Sequence, residues 1–332
     1  MKIAIVKLSA LGDIVHAMVA LQFIKAHDAT IEIDWIVEQG FAEVLRHNPD
    51  INQILTVNLK ALKHNKAGLL KEIKKVRSFA NNHYDLVIDA QGLLKSAITA
   101  KFLGGKTIAG FDKNSIREKI ATFFYQQKIY CPYDGNTIDR NVKILSAPLG
   151  FTVSPAQIHE KKVFLYFDDN NTELNDYLSQ DSKNLLFVIG STWESRNYPK
   201  EKFLEVAEKL QQNVLIAWGN EAEKQKAEWI AERSNCVRAL PKLNLNDLKA
   251  LIAKTDLTLG NDTGPTHIAW GLNKPSIVLF GCTPISRVYQ TKINKVIKSS
   301  STVNPYKLNK EDYSIQEIEV NEVVGLINIL LK

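Results

Sequence analysis

The residues of this chain that could do chemistry occur in short polar segments that follow apolar runs. The first segment, residues 7–13 (KLSALGD), contains Gly12, which permits a tight turn and the close approach of a ligand. Asp13 falls at the start of the helical pattern that follows, where the helix dipole favours an ionised carboxylate. An ionised carboxylate in a cleft can accept a hydroxyl proton, so Asp13 is a candidate general base. The alternative is that Asp13 only caps the helix.

A second polar segment, residues 260–267 (GNDTGPTH), again lies between an apolar run and a helical pattern. Gly264 and the proline after it mark a helix start. The exposed N–H groups of Thr263 and Gly264 would bind an anion there with the help of the helix dipole. Asp262 would accept hydrogen bonds from sugar hydroxyls, and His267, one turn into the helix, would donate to a phosphate. The alternative is a well-capped helix with a histidine in the core.

Two further segments in the second half of the chain have the same placement. In residues 190–199 (GSTWESRNYP), the hydroxyls of Ser191 and Thr192 suit phosphate contacts, and Arg196 suits charge neutralisation. Glu221 follows a later apolar run, a position from which a carboxylate commonly binds ribose hydroxyls in nucleotide-binding folds. The alternatives are an ordinary loop with a helix start for the first segment and helix capping for the second.

Basic residues are concentrated in one region. Residues 51–150 hold 16 Lys and Arg against 7 Asp and Glu, an excess of 16 − 7 = +9. The whole chain carries +6, so the rest of it carries 6 − 9 = −3. Such a stretch indicates an acidic partner, such as a phosphate, a carboxylate, a nucleic acid or an anionic lipid, or else a solvated helix face. Lys95 comes directly after a predicted strand, and Arg117 and Arg140 lie in the same region.

Several classes of protein are excluded by the motifs that the sequence lacks. No GxGxxG follows the first apolar run and no GxxxxGK[ST] occurs, so neither a classical dinucleotide dehydrogenase nor a P-loop enzyme is expected. There is no HExxH and no dense cluster of His or carboxylates, so we expect no metal site. The three cysteines lie far apart, which favours a reducing compartment. Without a signal-like or membrane-spanning apolar stretch, we expect a cytoplasmic protein that touches a membrane only from its surface.

The elements that would position these segments are alternating strands and helices. The predicted strands are residues 2–6, 31–37, 54–57, 85–89, 107–110, 185–189, 214–218, 257–259 and 276–280. The predicted helices are a first one after Gly12, then residues 41–46, 67–82, 93–102, 115–125, 202–210, 221–233, 246–253, 264–270 and 315–331. This alternation predicts parallel βαβ units.

The alternation stops in a polar stretch and then restarts, which divides the chain. We predict two Rossmann-like domains over residues 1–158 and 183–314, joined by a linker over 159–182 and followed by a C-terminal helix over 315–332. Ligands of such sheets bind at the carboxyl ends of the strands.

Taken together, the polar segments resemble the ADP-heptose:lipopolysaccharide heptosyltransferases, which have the GT-B fold. The match runs along nearly the whole chain, with the motifs in the family's order and spacing. These motifs are KLSALGD, DAQGLLKS, the GFD of residues 110–112, an SxxR…YP and GNDTGPTHIA. The KxSxxGD form of the opening is more similar to heptosyltransferase I than to heptosyltransferase II. The resemblance implies two Rossmann-like domains that face a central cleft, with the C-terminal helix packed back on the N-terminal domain.

The resemblance also implies roles for individual residues, with Asp13 as the catalytic base. The donor contacts that it implies are Ser191, Thr192, Arg196, Glu221, Asp262, Thr263, Gly264 and His267. The acceptor contacts that it implies are Lys60, Lys63, Lys95, Arg117 and Arg140. Residues 1–158 would therefore bind the acceptor, and residues 183–314 would bind the nucleotide sugar. Arg196 departs from the family's pattern, since close relatives carry Lys there, but the positive charge is kept.

The reaction that the resemblance implies is an inverting, metal-independent transfer of L-glycero-D-manno-heptose from ADP-heptose to the Kdo sugar of Kdo-lipid A. ADP-heptose is then a substrate, and no cofactor is expected. The protein would work on the cytoplasmic face of the inner membrane, in peripheral contact with its anionic surface. Three alternatives stay open: heptosyltransferase II or another sugar specificity, a nucleotide-sugar epimerase on the same fold, and a non-catalytic nucleotide- or RNA-binding protein. The basic region lacks the interleaved aromatic residues of single-stranded nucleic-acid sites, so no nucleic-acid partner is expected.

Overall fold

A computed structural model describes residues 1–59 and 68–332 of the chain. The chain divides into two units, Met1–Phe164 and Leu165–Lys332, and each unit has its own sheet. The division falls inside the polar stretch that separates the two runs of alternating strands and helices in the sequence. Among the helices of the described residues, none is both long and apolar enough to span a bilayer.

The first unit is built on a parallel sheet. Its strands are β1 (Lys2–Val6), β2 (Glu32–Glu38), β3 (Gln53–Val57), β4 (Leu86–Asp89), β5 (Thr107–Phe111) and β6 (Gln127–Ile129). The strands pair in the order β3-β2-β1-β4-β5-β6, and every neighbouring pair is parallel. The central strands β1 and β4 are buried over nearly their whole length. Their continuous apolar runs are typical of strands inside a parallel sheet.

Helices fill the connections of the first unit. They are α1 (Leu11–Met18), α2 (Ala20–His27), α3 (Ala42–Leu45), α4 (Leu69–Ser78), α5 (Leu94–Leu103), α6 (Thr137–Ser146) and α7 (Pro155–His159). A 3₁₀ turn, Lys119–Phe124, stands where the sequence predicted a helix over 115–125. The reason is local: Asp112 Oδ1 accepts hydrogen bonds from Asn114 N at 3.1 Å and from Ser115 Oγ at 2.5 Å. Such a side-chain turn competes with a helix start.

The second unit repeats the architecture. Its strands are β7 (Asn184–Val188), β8 (Asn213–Ala217), β9 (Val237–Ala239), β10 (Leu257–Asn261), β11 (Ser276–Phe280) and β12 (Asn294–Lys298). They pair in the order β12-β11-β10-β7-β8-β9, again all parallel. Its helices are α8 (Lys200–Leu210), α9 (Glu221–Ala231), α10 (Leu245–Lys254), α11 (Gly264–Gly271) and α12 (Val320–Leu330). The predicted α/β class with two parallel sheets is confirmed.

The last helix, α12, requires a correction. The prediction placed it against the N-terminal domain, but its buried side chains Val320, Val323 and Ile327 belong to the hydrophobic core of the second unit. The same core contains Val206 and Leu210 of α8. The apolar residues of α12 recur at helical spacing, and α8 offers them an apolar face within the same unit.

Both sheets place their first strand beside their fourth, β1 beside β4 and β7 beside β10. Because the paired strands are parallel, the loops that follow them leave the same edge of the sheet. The strand order reverses direction at this point, so the two loops open away from each other. Ligands of open parallel sheets bind at such a switch point. The polar segments at residues 7–13, 89–96, 190–199 and 260–267 follow these four strands, whereas Glu221 follows β8.

Candidate active site

The loop after β1 is fixed by the loop after β4. Gln91 Oε1 accepts hydrogen bonds from Leu8 N and Ser9 N, each at 3.1 Å. The buried Lys7 Nζ donates to the carbonyl oxygen of Ala90 at 2.8 Å. These three bonds set the path of the chain just before Asp13. The sequence analysis gave Gln91 no role, although it lies inside the DAQGLLKS motif.

A buried carboxylate, Asp89, holds the loop after β4 in turn. Its oxygens accept hydrogen bonds from Gln91 N at 2.9 Å, Gly92 N at 3.1 Å, Ser96 Oγ at 2.8 Å and Tyr125 Oη at 2.6 Å. Burial raises the pKa of Asp89, while these hydrogen bonds oppose the rise. Asp89 therefore organises the site from beneath rather than facing a ligand.

The glycine of the GFD motif has a steric reason in the same network. A Cβ atom on Gly110 would lie 2.4 Å from the ring of Tyr125. Any side chain at this position would push the ring away and pull the Tyr125 hydroxyl from Asp89. Gly110 thus belongs to the support of the loop and makes no ligand contact in this arrangement.

Asp13 is the third residue of α1 and remains partly exposed. Its Oδ2 accepts a hydrogen bond from Ala10 N at 3.4 Å, so the carboxylate turns back on the start of its own helix. The N-cap residue is Ala10, and Asp13 contributes to capping from the third helical position. An exposed carboxylate in the first helical turn is also placed to accept a proton, and the two roles are compatible.

The predicted acceptor residues fall into three groups. Lys95, the second residue of α5, is partly exposed and Arg117 is exposed, and within residues 1–59 and 68–332 neither side chain has a hydrogen bond or an ion pair. Arg140 donates from Nη1 to the carbonyl oxygen of Tyr133 at 2.5 Å and from Nη2 to that of Ser115 at 2.6 Å. Its guanidinium thus ties two segments of the first unit together. The remaining two residues, Lys60 and Lys63, lie outside the described residues.

In the second unit, the buried carboxylate of Asp262 gathers the polar groups that follow β7 and β10. Arg196 Nη2 donates to Asp262 Oδ2 at 2.7 Å and also to its carbonyl oxygen. His267 Nε2 lies 3.0 Å from Oδ1, and Thr283 Oγ1 donates to Oδ2 at 2.9 Å. Arg287 Nε lies 3.6 Å from Oδ2.

The electrostatics of this cluster favour the charged carboxylate. Burial opposes ionisation, but the Arg287 charge, the hydrogen bond with His267 and the Arg196 charge together hold the pKa of Asp262 well below its usual range. Asp262 therefore fixes cations in place. Its contact with sugar hydroxyls stays a prediction, since several groups of the protein already use its oxygens.

Several buried polar atoms of the described residues have no hydrogen-bond partner, and Ser191 Oγ and Arg196 Nε, both in the loop after β7, are among them. Buried donors are nearly always satisfied, so these two atoms are candidates for ligand contacts. Both residues were predicted as donor contacts. Thr192, between them in the sequence, is exposed.

The start of α11 lies next to this cluster. Thr263 is its N-cap residue in extended conformation, and its side chain makes no capping hydrogen bond. Thr266 Oγ1 donates to the carbonyl oxygen of Asn261 at 2.8 Å, and a Cβ atom on Gly260 would lie 2.5 Å from that hydroxyl. The close approach of helix and strand thus requires Gly260. The N–H groups of Thr263 and Gly264 lie at this helix start, and their contact with an anion stays a prediction.

Asn261, which sequence reasoning left without a role, joins the loops after β7 and β10. Its Oδ1 accepts a hydrogen bond from Tyr198 N at 3.0 Å, and its Nδ2 donates to the carbonyl oxygen of Ile189 at 2.8 Å. The amide of Asn261 therefore fixes both ends of the 190–197 loop that carries Ser191 and Arg196.

The predicted ribose contact, Glu221, is the exposed first residue of α9. Its neighbour Glu223 is the carboxylate that contacts the strand ends. Glu223 Oε2 accepts a hydrogen bond from Gly219 N at 2.7 Å, and a Cβ atom on Gly190 would lie 2.1 Å from Glu223 Cδ. Sequence reasoning missed Glu223. The signal was the Asn220-x-x-Glu223 spacing of a capping box, in which Asn220 accepts from Glu223 N at 3.0 Å.

No group of three or more His, Cys, Asp or Glu side chains in the described residues could hold a metal ion. The polar groups that follow β7 and β10 include the cation of Arg196, the hydroxyl of Ser191 and the helix start at Thr263. This is an arrangement that can bind a doubly charged leaving group electrostatically.

Comparisons with known proteins agree with this geometry. The profile of glycosyltransferase family 9 (heptosyltransferase) matches residues 73–317. The chain is 35% identical to lipopolysaccharide heptosyltransferase 1 of Campylobacter coli, with 99% of each chain covered. It is 29% identical to lipopolysaccharide heptosyltransferase 1 of Pseudomonas aeruginosa over 85% of this chain and 79% of the relative. The structure of E. coli heptosyltransferase WaaC with ADP-2-deoxy-2-fluoro heptose has a TM-score of 0.80 at 24% identity, with 99% of each chain covered. That likeness confirms the predicted GT-B fold class.

The cluster around Asp262 predicts a pH-dependent loss of stability in Asp262→Asn. Removal of one partner of a buried ion pair leaves Arg196 and Arg287 uncompensated, so the free energy of unfolding at pH 7 should fall by about 3–5 kcal/mol. The folded-state pKa of Asp262 is lowered from an ordinary value of 3.8, so ionisation stabilises the fold above that value. The stabilisation is lost as the pH falls below it. The difference in the free energy of unfolding between wild type and variant should therefore become smaller below about pH 4. Urea unfolding from pH 7 to pH 3 measures this difference.

A matched control is Glu201→Gln, which changes an exposed carboxylate of α8 that lies 4.0 Å from Lys200. Its unfolding free energy should stay within about 0.5 kcal/mol of wild type. If the unfolding free energies of wild type and Asp262→Asn differ by the same amount at pH 7 and at pH 3, Asp262 is not an ionised carboxylate bound to cations.

Proposed function

We propose that this chain, which belongs to glycosyltransferase family 9, the heptosyltransferases, transfers L-glycero-D-manno-heptose from ADP-heptose to the Kdo sugar of Kdo-lipid A in lipopolysaccharide inner-core synthesis. Membership of the family confirms the resemblance found in the motifs. Among the alternatives, a nucleotide-sugar epimerase and a non-catalytic binding protein are not favoured, since relatives that match along nearly the whole chain are named heptosyltransferase 1.

The observation that carries the proposal is the placement of Asp13. The loop before it is fixed by Gln91 and Lys7, while its carboxylate stays partly exposed at the start of α1. In the proposed reaction, a Kdo hydroxyl oxygen bonds to the anomeric carbon of the heptose while the bond from that carbon to the ADP oxygen breaks. Asp13 takes the hydroxyl proton, ADP leaves with the bonding electron pair, and the anomeric configuration inverts.

The proposal assigns the diphosphate of the donor to the cluster around Asp262. Ser191 Oγ and Arg196 Nε are among the buried atoms of the described residues that lack partners, and a phosphate oxygen would satisfy both. The helix start at Thr263 and Gly264 adds N–H donors, so the charge that develops on ADP is stabilised without a metal ion. Thr192, Glu221 and His267 remain proposed donor contacts, with Glu223 added beside Glu221.

The acceptor is assigned to the basic first unit. Lys95 and Arg117 offer cations that the described residues leave without partners, as the carboxylates of Kdo and the phosphates of lipid A require. Lys60 and Lys63 stay proposed acceptor contacts, and Arg140 is proposed to support the acceptor region through the segments that it ties together. A lipid acceptor implies work at a membrane, so the proposal includes peripheral contact with the anionic cytoplasmic face of the inner membrane.

The proposed proton transfer to Asp13 can be tested with Asp13→Asn. The amide can still accept a hydrogen bond from Ala10 N but cannot take a proton at neutral pH. Turnover should fall by about a hundredfold to ten-thousandfold, as is usual for the loss of a general base. The melting temperature and the affinity for ADP should stay at wild-type values. Steady-state kinetics, thermal unfolding and calorimetry with ADP measure the three quantities. Turnover near that of wild type would leave Asp13 as a helix cap alone.

Substitution of single basic residues distinguishes those that bind the acceptor from those that are only solvated. Lys95→Gln and Arg117→Gln should each raise the KM for the acceptor by about tenfold or more, which matches the roughly 1.5–3 kcal/mol of a charged hydrogen bond. The KM for ADP-heptose should not change. The control is Lys71→Gln on α4, an exposed lysine of the same basic region, for which we expect no change in either constant. Equal effects at all three positions would mean that the acceptor site is misplaced.

A further inference from the structure

Among the described residues of the first unit, Phe123 is the most exposed large apolar side chain, at 84%, and Ile120 near it is 62% exposed. Both belong to the 3₁₀ turn Lys119–Phe124. In a 3₁₀ helix, residues three apart eclipse each other, so Ile120 and Phe123 lie on one face of the turn. Ala121 and Thr122, between them, are buried. The turn therefore packs through one face and presents two large apolar side chains to water on the other.

The exposed face continues onto the start of α5. Leu94 N donates a hydrogen bond to Glu118 Oε2 at 2.7 Å, which holds the first residue of α5 beside the turn. Leu94 is itself 36% exposed. Leu94, Ile120 and Phe123 are called the apolar patch below. An exposed apolar patch of this kind marks an interaction surface.

Cations flank the apolar patch. Residues 113–128 contain four basic residues and one acidic residue, 4 − 1 = +3. The basic residues are all exposed and are Lys113, Arg117, Lys119 and Lys128. The single acidic residue, Glu118, is the one that accepts the hydrogen bond from Leu94 N. Residues 113–128 thus combine two exposed large apolar side chains with an excess of exposed positive charge.

This combination matches the surface of an anionic bilayer. Aromatic and branched aliphatic side chains enter the region between headgroups and acyl chains, while Lys and Arg next to them bind the anionic headgroups. A protein partner would need a matching acidic rim around an apolar pocket, and a nucleic acid would leave Ile120 and Leu94 unused, since bases stack on aromatic rings. We propose that the turn Lys119–Phe124, with Leu94, is the part of the chain that enters an anionic phospholipid surface. The proposal deepens and rests on the proposed peripheral membrane contact.

The consequence for the acceptor is direct. Arg117, a proposed acceptor contact, lies two residues before the turn. Insertion of Phe123 and Ile120 would bring Arg117 to the level of the headgroups, where the sugars and phosphates of a lipid-anchored acceptor lie. The acyl chains of the acceptor would then stay in the bilayer while its sugar is used.

The experiment is co-sedimentation of the full chain with vesicles of phosphatidylethanolamine and phosphatidylglycerol, and with phosphatidylcholine vesicles as the neutral comparison. The double variant Ile120→Ser/Phe123→Ser should lose at least tenfold in its partition constant on the anionic vesicles. The matched control is Ile329→Ser/Tyr306→Ser, which removes one aliphatic and one aromatic side chain that are each 64% exposed in the second unit. This control should bind like wild type. Lys113→Gln/Lys119→Gln should weaken binding to the anionic vesicles most at low salt. At high salt the ions already screen the attraction between these lysines and the headgroups, so their removal has less effect.

Two further measurements keep the test independent of catalysis and of folding. The circular dichroism spectrum of Ile120→Ser/Phe123→Ser should match that of wild type. The double variant should also transfer heptose at the wild-type rate to a Kdo acceptor without acyl chains. The loss of vesicle binding then results from the missing apolar side chains and not from misfolding or lost catalysis. Wild-type binding to vesicles by this double variant would overturn the assignment of the turn while leaving the proposed transfer in place. A change of oligomeric state in light scattering, with vesicle binding intact, would also overturn it, because the apolar patch would then serve contact between copies of the chain.

Discussion

Parallel pairing of the strands is the constraint on which both halves of the molecule depend. Because all neighbours in each sheet run the same way, the loops that carry chemistry leave each sheet at one edge. The strand order then brings β1 beside β4 and β7 beside β10. Because β1 and β4 are adjacent, Gln91 in the loop after β4 accepts hydrogen bonds from the amides of Leu8 and Ser9. Because β7 and β10 are adjacent, Arg196 in the loop after β7 donates to Asp262. Motifs that lie 66 to 83 residues apart in the sequence thus come into contact within each unit through this topology.

Each unit places a buried carboxylate at the end of its fourth strand, and the two differ in their partners. Asp89 accepts hydrogen bonds from neutral donors only, and burial raises its pKa. Asp262 faces Arg196 and Arg287, and these charges help to lower its pKa despite burial. The first arrangement stiffens the loop before Asp13 through hydrogen bonds. The second holds two cations in a fixed position, which is the preorganisation that the proposed stabilisation of a diphosphate leaving group requires.

The sequence predicted the long apolar strands and their order well, because a buried parallel strand is a continuous apolar run. It missed the edge strands β6, β9 and β12, which are short or partly polar, and α6, which begins right after a turn-forming stretch. The site was predicted as a set of motifs but not as a set of contacts. Spacing along the chain cannot show that Gln91 supports another loop, that Glu223 lies against Gly190, or that the guanidinium of Arg140 is bound by two backbone carbonyls. Each of these facts depends on tertiary proximity.

The central claim is that the chain joins a heptose to an acceptor, with Asp13 and the Asp262 cluster serving the same reaction. The most direct test is the release of ADP from ADP-heptose by the wild-type chain, measured with and without Kdo-lipid A, together with mass spectrometry of the lipid. The account predicts ADP release only when the acceptor is present, and one heptose added to the lipid for each ADP formed. ADP release at the same rate without the acceptor, or conversion of the donor to an isomer with no change in the lipid, would contradict it.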